Sequence, residues 1–184
     1  MKRIVFLGCE NSHSATFINF IKNDPAYGDV AIAGVYSHDR SAAEKLAEKY
    51  GVPVLDDYSD AVGKVDGIVV TARHGDNHLK YALPYLCKNM VVFMDKPITV
   101  SESDALEFVR ACIKNNVKIT GGSSCRFDAF VKELKSDAEN KIGGETISGF
   151  VRCPMSINNV NGGLFFYAQH LVEITGEIFG RYPK

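Results

Sequence analysis

The stretch Arg3 to His13, RIVFLGCENSH, decides the fold. Arg3 to Leu7 is a short apolar run that Gly8 ends, and a helix is expected from about Ser12 to Lys22, with Phe17, Phe20 and Ile21 on one stripe. Strand, tight turn and helix are the opening of a nucleotide-binding βα unit. The dinucleotide fingerprint G-x-G-x-x-G uses its first glycine for the turn, its second for close approach to pyrophosphate, and its third for helix–strand packing. Here those positions are Gly8, Glu10 and His13. Glu10 places a carboxylate where phosphate would lie, which is repulsive unless the side chain points away. The N–H groups at the helix start remain an anion site, with side-chain donors beside them. Gly8, Asn11, Ser12 and His13 are therefore candidate cofactor contacts, against the alternative of a purely structural turn.

The pattern then repeats. Val30 to Tyr36 is a β-branched run, after which Ser41 and Glu44 suggest a capping box, Leu46, Ala47 and Tyr50 a buried face, and Gly51 with Pro53 a stop. Asp66 to Thr71 is a third strand. From Asp76 the residues Leu79, Ala82, Leu83, Leu86 and Cys87 keep helical spacing until Pro84 kinks it. Met90 to Met94 is continuously apolar, as a parallel strand covered on both faces must be. A helix opening at Ser101 with Asp104 is expected to bury Leu106, Val109 and Ile113 before Val117 to Thr120 form the next strand. Residues 1–122 thus read as an α/β, Rossmann-type doubly wound parallel sheet. Beyond Gly121-Gly122 the expectations are a helix over Asp128–Asn140, a strand over Thr146–Cys153, and a buried helix after Gly162-Gly163. So little chain follows that last helix that residues 123–184 are expected to be the start of an incomplete α+β second domain.

Lys plus Arg number 21 against 22 Asp plus Glu, so the net charge of -1 gives no footprint for nucleic acid or an anionic membrane. A small-molecule substrate is the expected partner. No apolar run approaches the roughly 18 residues of a membrane span, and Met1-Lys2-Arg3 leads into a strand rather than a signal-peptide core, which points to the cytoplasm. Five scattered cysteines with no C-x-x-C pair suggest neither a disulfide framework nor a zinc site, and no metal is expected.

The strand ends carry the remaining candidates. The second strand runs into Ser37-His38-Asp39-Arg40, where NAD-preferring proteins carry an acid for the ribose hydroxyls. A serine with His38 and Arg40 nearby is kinder to a 2′-phosphate, and the alternative is a solvated helix-capping turn. Thr71, Arg73 and His74 follow the third strand, and Asp95-Lys96-Pro97 follows Met90–Met94 at the carboxyl edge, where open α/β sheets bind ligands. The lysine is either a solvated strand end or a placed cation.

Asp66 to Val100 (DGIVVTARHGDNHLKYALPYLCKNMVVFMDKPITV) resembles the Gfo/Idh/MocA oxidoreductases, whose pattern ends in Glu-Lys-Pro. Ala43 to Gly51 resembles the family's second helix, and Gly162 to Phe179 its glycine-led helix with a second-domain histidine. The resemblance implies NAD or NADP as cofactor, a homo-oligomer, and hydride transfer between nicotinamide and a hydroxyl-bearing carbon of a sugar, cyclitol or related metabolite. Lys96 matches the lysine near nicotinamide and substrate, and His170 the histidine of proton transfer, a role that suits imidazole near neutral pH. The family's catalytic Asp position is Phe166 here, and the motif Glu is Asp95. Tyr167, His74 or Glu173 are candidates to replace the missing carboxylate, with Tyr167 placed alongside Lys96 and His170 as catalytic. The alternative is a nucleotide- or metabolite-binding protein without redox turnover.

Overall fold

A computed structural model describes residues 1–180 and divides the chain into two compact units, Met1–Gly121 and Gly122–Lys184. The first unit alternates strand and helix: β1 (Lys2–Leu7), α1 (Ser12–Asn23), β2 (Val30–Tyr36), α2 (Arg40–Tyr50), β3 (Gly67–Val70), α3 (Asp76–Ala82), β4 (Val91–Met94), α4 (Glu102–Asn115) and β5 (Lys118–Gly121). All pairings are parallel, in the order β2-β1-β3-β4-β5. A further parallel bridge, Val35 to Val54, lies outside β2. With it the order becomes that of a doubly wound dinucleotide fold, whose direction of winding reverses between β1 and β3.

The core follows from the two-residue period of a strand. Val5 and Leu7 join Ile68, Val70, Val92, Met94 and Phe108 on one face of the sheet, while Phe6 joins Ile18, Val35 and Leu46 on the other. Both faces are covered, which is why the strands read as unbroken apolar runs.

Several expectations change here. The cap of α2 is Asp39, whose Oδ1 accepts from the Ser41 and Ala42 amides, and Glu44 pairs with Arg40 at 2.9 Å instead of closing a capping box. Pro84 ends α3 at Ala82 and leaves a 3-10 turn over Leu83–Tyr85 rather than a kinked long helix. α4 turns Phe108 and Cys112 to the sheet, leaving Leu106, Val109 and Ile113 at 46%, 49% and 75% exposure. That helix has two apolar stripes, and the sheet takes the one with the phenyl ring.

The second unit holds a 3-10 turn (Ser124–Phe127), α5 (Ala129–Glu139) and α6 (Phe165–Phe179). Thr146–Cys153 forms no strand, because no strand of this unit is present among the described residues to pair with it. α6 is not buried either: Phe166 is its one buried residue and Val172 is largely exposed. Among the described residues no helix is long and apolar enough to cross a membrane, and no cluster of His, Cys, Asp and Glu could hold a metal ion.

Candidate functional site

The carboxyl edge of the first unit is built around Gly8. Its φ of +89° is hostile to other residues, and a Cβ there would lie 2.3 Å from Ala72 Cα, so only glycine lets the turn pass this close to the end of β3. The Gly8 and Cys9 amides both donate to Tyr36 O, at 2.8 and 3.1 Å. Underneath, Ser14 Oγ and Thr71 Oγ1 lie 2.6 Å apart, and Thr71 Oγ1 also donates to Gly8 O at 3.1 Å. Both residues are fully buried. Thr71 therefore fixes the turn from inside instead of facing a ligand.

Glu10 does not sit over the start of α1. Its Oε2 accepts from Ser37 Oγ at 2.6 Å and its Oε1 from the Arg73 amide at 2.9 Å, so one carboxylate ties the ends of β1, β2 and β3 together. The repulsion foreseen between this residue and a phosphate at the helix start is thereby relieved. His38 Nδ1 is 3.8 Å from the same carboxylate, and the His38 side chain is mostly exposed. The basic surroundings expected for Ser37 are otherwise engaged: Arg40 reaches Glu44 at 2.9 Å and Asp56 at 2.8 Å. Arg73 contributes its backbone rather than its guanidinium to this junction, a contact that no sequence signal could have revealed.

The other replaced glycine also finds a partner. His13 Nδ1 lies 2.6 Å from Asp95 Oδ2, and Asn11 Nδ2 is 3.5 Å from the same oxygen. Asn11 is the N-cap of α1, accepting from the His13 amide at 3.2 Å, and Ser12 Oγ is 3.5 Å from its Oδ1. Asp95 is almost wholly buried and Lys96 is 7% exposed, so the lysine is held against the protein and is not a solvated strand end. The Lys96-Pro97 bond is cis. A Cβ on Gly75 would come within 3.0 Å of Pro97 Cγ, so the loop after β3 packs tightly on this turn. Fully buried His78 braces that loop, its Nε2 donating to Ala72 O at 2.8 Å. Burial pushes its pKa below the usual histidine value. His74 serves α3 locally, Nδ1 accepting from the Asp76 amide at 3.2 Å.

In the second unit, Ser123 Oγ and His170 Nδ1 are 2.6 Å apart. The Ser123 amide donates to Glu173 Oε1 at 2.9 Å, Gln169 Nε2 donates to the same oxygen, and Arg126 Nε is 3.5 Å from Oε2. Glu173 thus holds the turn at the start of this unit, where a Cβ on Gly122 would strike its carboxylate at 2.6 Å. Tyr167 lies 5.9 Å from the His170 ring, with Phe166 packed edge-on against it at 4.9 Å. Helix spacing brings Phe166, Tyr167 and His170 together, and the Ser123 hydroxyl meets Nδ1 of the imidazole.

Comparison with known proteins agrees with this architecture. The Gfo/Idh/MocA family model, described as an oxidoreductase family with an NAD-binding Rossmann fold, matches residues 2–123. Glucose-6-phosphate 3-dehydrogenase of Bacillus subtilis (strain 168) is 26% identical over 151 residues, covering 80% of this chain and 41% of that protein. Myo-inositol dehydrogenase from Lactobacillus casei, solved with NAD(H) and myo-inositol, superposes with a TM-score of 0.76 at 17% identity, over 97% of this chain and 54% of that one. The WlbA dehydrogenase from Bordetella pertussis, solved with NADH and UDP-GlcNAcA, gives 0.66 at 20% identity, over 76% and 42%. The chain spans about half the length of these proteins or less.

Proposed function

Because this chain belongs to the Gfo/Idh/MocA oxidoreductase family, we propose that it is an NAD(P)-dependent dehydrogenase acting on a hydroxyl-bearing carbon of a sugar, cyclitol or related metabolite. The observation that carries the reading is Lys96, a cation held with little exposure at the carboxyl end of β4, next to the strand pair where the winding of the sheet reverses. The residues fit a dinucleotide: the Gly8 turn leaves no room for a side chain, α1 begins directly after it, and Glu10 is drawn off toward β2 and β3. When bound, the nicotinamide supplies the hydride acceptor or donor.

Each residue then has one task. Lys96 holds the substrate oxygen and stabilises the negative charge that grows on it as its proton leaves. A proton leaves in oxidation and returns in reduction, so alcohol and oxidised nicotinamide balance carbonyl, reduced nicotinamide and a proton, an exchange to which an imidazole such as that of His170 is chemically suited. Ser123 orients the imidazole, and Tyr167 lines the same stretch of α6. Lys96→Ala is expected to lower kcat with myo-inositol or glucose 6-phosphate by about 10² to 10³-fold, with NADH affinity changed only a few-fold. NADH binding without turnover on any sugar or cyclitol would favour a binding protein, a reading to which the buried Phe166 lends weight. Failure to bind both NADH and NADPH would overturn the dehydrogenase reading.

A further inference from the structure

We infer that Glu10 selects the cofactor: its carboxylate takes the ribose hydroxyls of NAD(H) and rejects the 2′-phosphate of NADP(H). The inference rests on the dehydrogenase reading and adds to it a residue that the fingerprint does not provide. In a doubly wound sheet the adenosine ribose is met at the end of the second strand, ordinarily by an acid at that strand's tip. Here the tip is Ser37, which cannot serve as that acid, and its hydroxyl is donated to Glu10 Oε2 at 2.6 Å. The Arg73 amide fixes Oε1 at 2.9 Å from the far side. The acid missing from β2 is thus supplied from the turn after β1 and delivered to the same place.

The chemistry of the junction favours a diol over a phosphate. An ionised carboxylate offers about four acceptor positions, and the protein fills one on each oxygen. What remains is acceptor capacity, suited to two hydroxyl donors. The Glu10 side chain is 11% exposed, enough to leave an edge open while weakening the screening of its charge. A phosphate monoester brings about 1.5 to 2 negative charges near pH 7 and no donor for these positions. Arg40, three positions beyond Ser37, is held by Glu44 and Asp56. His38, 3.8 Å from Glu10 Oε1, is the one cation-capable ring beside the carboxylate among the described residues, and that carboxylate would offset any charge it carried.

The test is a pair of fluorescence titrations, NADH and NADPH, on the unaltered protein and on Glu10→Gln, which preserves shape and removes the charge. The unaltered protein should bind NADH at least ten-fold more tightly than NADPH, and Glu10→Gln should shrink that ratio by ten-fold or more, chiefly by tightening NADPH. Raising the salt should narrow the gap in the unaltered protein and have less effect in the variant. Equal or tighter binding of NADPH by the unaltered protein overturns the inference and leaves the dehydrogenase reading standing. A ratio unmoved by Glu10→Gln, in a variant that melts like its parent, overturns it equally. Failure of the unaltered protein to bind either nucleotide removes both.

Discussion

At the carboxyl edge of the first unit, Glu10 and His13 stand where a fingerprint has glycines, and each is matched by a group on another strand end: Ser37 and Arg73 for one, Asp95 for the other. In the second unit two polar residues of α6, His170 and Glu173, are matched by Ser123 and Arg126 in the turn that opens the same unit. The first set joins segments on a sheet with both faces covered. The second ties an otherwise poorly covered helix to its own neighbourhood. Unusual residues on a rigid sheet edge can create a site, whereas on a thinly packed helix the same polar chemistry is spent first on holding the helix.

The contrast predicts unequal responses to small changes. Gly8→Ala forces a side chain into Ala72 at a φ of +89°, and should cost about 3 kcal/mol or more in urea unfolding. A cost below 1 kcal/mol would mean that the turn is not fixed by close packing. A smaller, pH-dependent effect belongs to His78. Burial lowers its pKa below 6.5, so between that lowered value and 6.5 the unfolded chain binds a proton that the native state does not. Stability should therefore fall as pH drops below about 6.5, and His78→Gln should flatten part of that slope. Identical slopes in the two proteins would show that the buried imidazole contributes nothing. The smallest effect has the opposite sign: Gly176→Ala, inside α6 with open space around it, should stabilise the protein by about 0.5–1 kcal/mol. Destabilisation there would mean that α6 is covered in solution.

Much of the first unit is legible in the sequence because its signals are local. Arg3–Leu7 followed by Gly8 needs only adjacent residues to read as strand and turn, and the unbroken apolar run at Met90–Met94 announces a strand covered on both faces. Lys96 at a strand end is legible for the same reason. The partners are not: Glu10 meets Ser37 across 27 positions and Arg73 across 63, and His13 meets Asp95 across 82. Nothing in the sequence announces that a backbone amide will complete the junction. α4 misleads because it carries two apolar stripes, and Thr146–Cys153 because β-branched character cannot make a strand without a neighbour. Local chemistry thus predicts elements well, and it fails where a second segment decides.

The central claim is that a dinucleotide occupies the carboxyl edge of the first unit, over the Gly8 turn and beside Lys96. Backbone hydrogen exchange with and without saturating NADH tests it most directly. Slowed exchange confined to residues 8–14, 37–39, 71–75 and 95–98 is the expected result. Unchanged exchange in those segments, or protection centred instead on the exposed apolar face of α4 and β5, would contradict it.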